Sequence, residues 1–410
     1  MLPKNELLLG PHEPLMLYEL QKNALVYPLL SNDDPDIQRG GCLVEGIEHP
    51  LARQSRARER QSSTSADIES WDLGSRRRPE SLEGTWLYAG PIYKHFGHCM
   101  AESFHRLWPL MLHSNLSLKG VLFLGENNEC DQINKQLLDY QREVIAHFKL
   151  TSLEIRVCTK PLLVEKILIA SQASTLGPLS EPSDQYIDML TNYNPSPVNE
   201  FSNKRFYISR TQLSSTSRLI GEKLLEKKLK EFGYQVIYPE LISFKQQLDI
   251  YASADRLVFC EGSAVHGLEI LGKVKARVDL ISRGGLELKR LKSMQTVLRK
   301  RSSGLIVHDK IIRHPPLTCM KNALGEFVPC HWNIGVWFEF KEFSDLLSCL
   351  STEQSFKLDH QEYRDSMLAE FLDYVLAIGS LDMFKTGRES FDSTWLKTKN
   401  LIKASLEFGE

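Results

Sequence analysis

Between residues 205 and 308 short apolar runs alternate with helical patterns, and that alternation leaves few folds open. Arg205-Phe206-Tyr207-Ile208-Ser209, Tyr234-Gln235-Val236-Ile237-Tyr238, Arg256-Leu257-Val258-Phe259-Cys260, Ala276 to Ile281 and Gly304 to Val307 read as strands. Residues 219–232, 243–254, 263–271 and 287–300 between them read as helices. Gly233 ends the first of these as a C-cap residue, and Ser243-Phe244-Lys245-Gln246 opens the second with capping-box spacing. Strands alternating with helices form βαβ units, whose crossovers are right-handed and whose sheet is parallel. Ligands of such sheets bind beyond the carboxyl ends of the strands.

One connection in this region has the composition of an anion site. Strand 256–260 runs into Glu261-Gly262-Ser263-Ala264-Val265-His266, and a helical segment follows through Gly272. The first N–H groups of a helix have no intrahelical partner, and the helix dipole adds positive potential there. Gly262, Ser263, Ala264 and Val265 are the predicted cradle, with His266 and Glu269 on the first turns. A plain strand-to-helix connection has the same outline, so the turn carries weight only with company.

That company lies upstream. In His95-Phe96-Gly97-His98-Cys99-Met100-Ala101-Glu102-Ser103-Phe104-His105-Arg106-Leu107-Trp108, the residues Met100, Phe104, Leu107 and Met111 recur at helical spacing as an apolar side. His98, Glu102 and Arg106 stand four apart, which aligns them on one side of a helix, with His105 beside them. Pro109 ends or kinks that helix. A carboxylate or imidazole in such a patch can take a proton from a hydroxyl. The pattern does not choose between His98 and Glu102 as the base, and it assigns Arg106 to holding Glu102 ionised. His and Glu four apart are also a metal-ligand pair, but no third ligand follows at tight spacing.

A third cluster follows strand 205–209. Arg210 stands at the carboxyl end of that strand, on the edge shared with the 261–266 turn, and Arg218 and Glu222 come next. A guanidinium there can pair with phosphate oxygens in bidentate fashion.

Composition excludes several classes. The chain of 410 residues is 42% hydrophobic and 25% charged, with a formal net charge of -2. These are values of a globular enzyme, and the charge recruits neither nucleic acid nor an acidic membrane. No apolar run reaches the length of a membrane span, although peripheral membrane association stays open. The N-terminus lacks a secretory pattern. The 8 cysteines form no Cys-x-x-Cys pair. Reduced thiols and a cytoplasmic location are therefore expected. Residues 53–80, with Arg53, Arg56, Arg58, Arg60 and Arg76-Arg77-Arg78 around a Ser-rich stretch, read as a mobile loop. The Ser-, Pro- and Asn-rich stretch 172–203 marks a domain boundary, giving units 1–200, 201–315 and a C-terminal helical extension 316–410 that packs back on both.

Taken together, the three clusters resemble glycosyltransferase family 61 over roughly residues 85 to 310. His98, Glu102 and Arg106 match the family's His-x-x-x-(Asp/Glu)-x-x-x-Arg element. Tyr207-Ile208-Ser209-Arg210 with Arg218 and Glu222 matches its second element, and Gly262-Ser263-Ala264-Val265-His266 its third. Two positions depart: His105 stands where many relatives have proline, and Gly221 where many have asparagine. The resemblance implies an α/β, GT-B-like fold, with two Rossmann-like domains facing a cleft and a C-terminal helical tail. It also implies an inverting, metal-independent transfer of a hexose or pentose from a nucleotide sugar, without cofactor, to a hydroxyl of a glycan or glycolipid. Soluble bacterial relatives in capsule or lipopolysaccharide synthesis are the nearest in kind.

In this reading Glu102, or His98 oriented by Glu102, takes the acceptor proton. Arg210, Arg218, His266 and the turn N–H groups hold the diphosphate, and Glu269 takes ribose hydroxyls. A nucleotide-sugar epimerase on the same fold would turn over donor with no acceptor. A non-catalytic nucleotide-binding scaffold would tolerate loss of Glu102 and His98.

Overall fold

The computed structural model describes residues 16–30, 39–53, 79–113, 116–125, 137–174, 182–213, 218–283, 288–310, 312–313, 319–321, 327–329, 335–351 and 356–379. The basic loop expected at 53–80 lies, apart from its ends, outside the described residues, as do residues 380–410 of the expected tail.

Two sheets organise the chain. The first contains β1 (Tyr18–Leu30), β2 (Arg39–Val44), β3 (Ile47–Glu48), β4 (Glu80–Pro91), β5 (Gly120–Leu124), β6 (Glu154–Cys158) and β7 (Leu162–Ala170). Their order is β3-β2-β1-β7-β4-β5-β6. Strands β4 to β7 are parallel wherever they pair, while β1 and β2 extend the sheet antiparallel from β7. The first half is therefore a mixed sheet rather than a purely parallel one. The N-terminal strand β1 is 13 residues long.

The second sheet is the one that the strand-helix alternation predicts. It is built from β8 (Arg205–Ile208), β10 (Gln235–Ile237), β11 (Arg256–Cys260), β12 (Arg277–Ile281) and β13 (Gly304–His308) in the order β10-β8-β11-β12-β13, all parallel. A two-residue strand, β9 (Arg218–Leu219), pairs outside it with residues 335–337.

Side chains alternate across this sheet as a period of two requires. Phe206, Ile208, Leu257, Phe259, Val278 and Leu280 share one core with Leu87, Val121, Phe123 and Leu168 of the first sheet. Tyr207, Val258, Cys260 and Ile281 face the other way. There they meet α5 (Glu222–Glu231), α8 (Phe340–Leu350) and α9 (His360–Gly379). This second core contains no residue before Tyr207, and tail residues between 336 and 374 pack in it on the outer face of the second sheet.

The tail is tied down by hydrogen bonds. Glu370 accepts hydrogen bonds from the backbone N–H groups of Gly221, Lys223 and Leu224, which begin α5. Its carboxylate thus caps a neighbouring helix, where the dipole favours negative charge. Gly221 sits at φ 90°, and a Cβ there would lie 2.5 Å from Met367 Sδ. Asparagine at this position would clash with α9, which accounts for the glycine. No helix among the described residues is long and apolar enough to cross a membrane.

Candidate active site

The upstream cluster is not one continuous helix. A short α1 (Phe96–His98) widens into a π-helical turn at Cys99–Ser103, and the chain then bends before α2 (Trp108–Leu112). Pro109 does not break a helix here. It sits in the first turn of α2, where a missing N–H costs nothing. The bend separates residues that an unbroken helix would have aligned.

His98 and Glu102 do meet, with Nδ1 2.6 Å from Oε1. Glu102 is fully buried, whereas the His98 side chain keeps 34% exposure. The carboxylate accepts from Nδ1–H, so the neutral imidazole has its lone pair on Nε2. The structure thus presents imidazole, not carboxylate, as the more accessible group.

Arg106 lies after the bend, wholly buried, and donates to the carbonyl oxygens of Leu51, Ala52, Arg53 and Ala170. These contacts tie the bend to the end of β7 and to the 50–53 segment. His105 is buried as well, with Nδ1 2.8 Å from Tyr186 Oη and Nε2 3.0 Å from Met100 O. Burial holds its imidazole down at about 4, so it is neutral. It belongs to the core rather than to the polar patch.

The downstream turn is a 3₁₀ helix, Ser263–Ile270, rather than an α-helix. It still leaves its first N–H groups without intrahelical partners. His266 Nδ1 stands 2.6 Å from Glu269 Oε1, and both side chains are nearly buried. Burial pushes the Glu269 carboxyl up, but the hydrogen bond and charge of His266, then the charge of Arg301, outweigh this and hold it below its ordinary value. Arg301, wholly buried, also donates to the backbone oxygens of Leu271 and Glu269. Glu269 is thus oriented onto His266, and its side chain is 6% exposed.

The two segments face each other at contact distance. A Cβ at Gly97 would stand 3.1 Å from His266 Cδ2, 3.2 Å from Ser263 Oγ and 3.3 Å from His95 Cε1. The glycine lets the backbone before His98 lie directly on the turn. His95 caps α1 by accepting from the His98 N–H through Nδ1, and its ring lies 5.1 Å from that of His98. Burial, then the charges of His98 and His266, push its imidazole down. Three imidazoles and a serine hydroxyl therefore gather around one glycine.

Arg210 completes the other side. A Cβ on Gly262 would lie 2.0 Å from Arg210 Nη1, so the guanidinium lies across the glycine. Glu222 fixes this residue by accepting from Arg210 N at 2.8 Å and from Tyr207 Oη at 2.8 Å. Burial, then the charge of Arg283, push the Arg210 guanidinium down. Arg218 lines a hollow with Thr211, Glu222, Lys223, Glu370 and Asp373.

His95 and Arg283 stand beside the site although the pattern of clusters did not single them out. The signal for Arg283 is in the chain: Ile281-Ser282-Arg283 repeats Ile208-Ser209-Arg210 at the end of a second strand. Among the described residues, Asp279, His308 and Cys349 bring metal-capable atoms within 4.8 Å of one another. Asp279 there already receives Arg256 through two hydrogen bonds, at 2.7 and 3.0 Å, so a cation would enter beside a guanidinium.

No curated protein matches the chain. The family model Glycosyltransferase 61 matches residues 96–271. That span holds His98 to Arg106, Tyr207 to Arg210, Arg218, Glu222 and the 262–266 turn; the chain carries a glycosyltransferase family 61 domain, which makes it a glycosyltransferase.

Proposed function

We propose that the protein moves a sugar from a nucleoside diphosphate sugar to a hydroxyl of a glycan or glycolipid by a single inverting displacement without a metal. The supporting observation is the contact of the His98 segment with the Ser263 turn, which sets a base beside an anion cradle. The acceptor O–H bond breaks and its proton passes to His98 Nε2. The oxygen forms a bond to the anomeric carbon as the bond from that carbon to the phosphate oxygen breaks. The electron pair leaves on the nucleoside diphosphate.

Each residue has a defined share. Glu102 orients His98 and stabilises the imidazolium that forms, as a buried carboxylate does behind a catalytic histidine. Arg210, His266 and the N–H groups of Ser263, Ala264 and Val265 take up the charge on the departing diphosphate, at a site where fixed donors need no reorganisation. Glu269 orients His266 by accepting from its Nδ1–H. In this reading Glu269 supports His266 instead of binding ribose, and Arg218 lines a hollow that shares Glu222 with the Arg210 side of the site.

The fold that goes with this reading is GT-B, the two sheets forming its two halves with a boundary near residue 200. A cytoplasmic location and a nucleotide-sugar pool belong to the same proposal. The test is a transfer assay with a panel of nucleotide sugars, scoring release of nucleoside diphosphate and the anomeric configuration of the product by NMR. Inverted product that is lost in Glu102→Gln and His98→Ala supports the proposal. Donor turnover without acceptor, or full transfer by both variants, refutes it.

A further inference from the structure

The carboxyl edge of the second sheet repeats one local design on both sides of the turn. Strand β8 runs into Ile208-Ser209-Arg210 and β12 into Ser282-Arg283 after Ile281, and these two strands flank β11. In each case the buried serine hydroxyl donates to a buried glutamate: Ser209 Oγ to Glu226 Oε1 at 2.5 Å, and Ser282 Oγ to Glu261 Oε2 at 2.9 Å. In each case the backbone N–H of the arginine donates to a buried carboxylate at 2.8 Å, Arg210 to Glu222 and Arg283 to Glu261. Pinning the serine and the arginine N–H fixes the point from which each guanidinium starts.

The second copy is tied to the turn itself. Glu261 opens the turn, and Arg283 Nε donates to its backbone oxygen at 2.5 Å. Arg283 and Arg210 leave the same carboxyl edge from the two strands that neighbour β11, and the charge of Arg283 adds to burial in pushing the Arg210 guanidinium down. Two cations held at one sheet edge repel, and an anion placed against both relieves that repulsion while accepting charge-assisted hydrogen bonds.

We infer that Arg283 is a second phosphate-binding arginine, which with Arg210 clamps the diphosphate of the donor from both sides of the Gly262-Ser263 turn. This rests on the nucleotide-sugar reading above, but the residue lies outside the matched span 96–271. Because the two guanidiniums start from strands on either side of β11, a ligand with two phosphate groups can engage one with each.

The test is titration calorimetry of UDP, GDP, CDP and ADP, and of the corresponding monophosphates, against the wild type, Arg283→Ala, Arg283→Gln and Arg283→Lys. Loss of hydrogen bonds to a charged group predicts about 10- to 100-fold weaker binding of the diphosphate by Arg283→Ala. The monophosphate should lose less, and Arg283→Lys should recover part of the diphosphate affinity. Arg283→Gln keeps a side chain of related reach without the charge, and should bind like the alanine variant even if the alanine variant folds poorly. Unchanged diphosphate affinity in Arg283→Gln overturns the inference. So does an equal loss for mono- and diphosphate, which is what a merely structural tie to Glu261 would give. A wild type that binds none of the four diphosphates refutes the nucleoside-diphosphate reading itself, a result distinct from either.

Discussion

Gly262→Ala separates the site from the fold. Gly262 has φ 165° and ψ -172°, extended backbone that alanine adopts without strain. The new methyl would instead meet Arg210, at 2.0 Å from Nη1, 2.7 Å from Cζ and 3.2 Å from Nε. These nearest atoms all belong to one long side chain, so the clash resolves by displacement of the guanidinium. The displaced group no longer reaches the diphosphate. Charge-assisted hydrogen bonds of this kind contribute about 1.5–3 kcal/mol, which predicts a drop of about 10- to 150-fold in donor affinity and kcat/KM. Urea unfolding should change by less than about 1 kcal/mol, as expected where no backbone contact or cavity is altered. The assay is titration of the nucleoside diphosphate with Gly262→Ala, Arg210→Ala and the double variant. In the Arg210→Ala background the glycine substitution should cost nothing further, because its only route to function is through that guanidinium. Wild-type affinity in Gly262→Ala, or additive losses in the double variant, would refute the reasoning.

Glu102→Gln should lower kcat by about 10²- to 10⁴-fold, because the amide no longer holds His98 in the proton-accepting tautomer or stabilises its imidazolium, while nucleotide binding measured by calorimetry stays at the wild-type level. Gly272→Ala should behave in the opposite way. Its Cβ would meet the Thr191 backbone nitrogen at 2.2 Å and Ile187 O at 2.5 Å, atoms that cannot swing aside. Overpacking there should cost about 1–3 kcal/mol in urea unfolding, with kcat per folded molecule unchanged. Glu370 gives a pH dependence. Burial pushes its carboxyl up to about 7, against the backbone N–H groups that favour the ionised form. A folded value above the unfolded 4.5 means that the stabilising contribution is complete below pH 4.5 and is lost as pH rises through 7. The difference in melting temperature between wild type and Glu370→Gln should therefore shift in favour of the variant between pH 5 and pH 8, and a constant difference would contradict this.

The parallel sheet was legible because each strand is a short apolar run closed by polar or small residues. The pattern 256–260 agrees with β11 at both ends, since nothing competes with a continuous buried run. The fate of the His98 to Arg106 stretch was not legible. Spacing of four implies a straight helix, but Phe104, Leu107 and Trp108 all go into the shared core, and the π-helical turn and bend are the backbone path that allows it. The same burial takes His105 and Arg106 inward, where carbonyl oxygens and Tyr186 receive them. His105 and Arg106, read as part of one polar helix side, are core residues with partners from distant segments, and no local pattern carries those partners. The Gly262 turn was found by composition, although its 3₁₀ geometry and the placement of Arg210 across it depend on contacts from β8. Arg283 shows the converse: the Ile-Ser-Arg repeat is plain in the chain, yet it gains meaning only when β8 and β12 prove to flank β11.

The most direct test of the central claim is a crystal structure of Glu102→Gln with an intact nucleotide sugar that the wild type turns over. The diphosphate should lie against the N–H groups of Ser263, Ala264 and Val265 with Arg210 beside it, and the anomeric carbon should face His98 Nε2. Density for the diphosphate elsewhere, or a sugar turned away from His98 with the turn empty, would contradict the account.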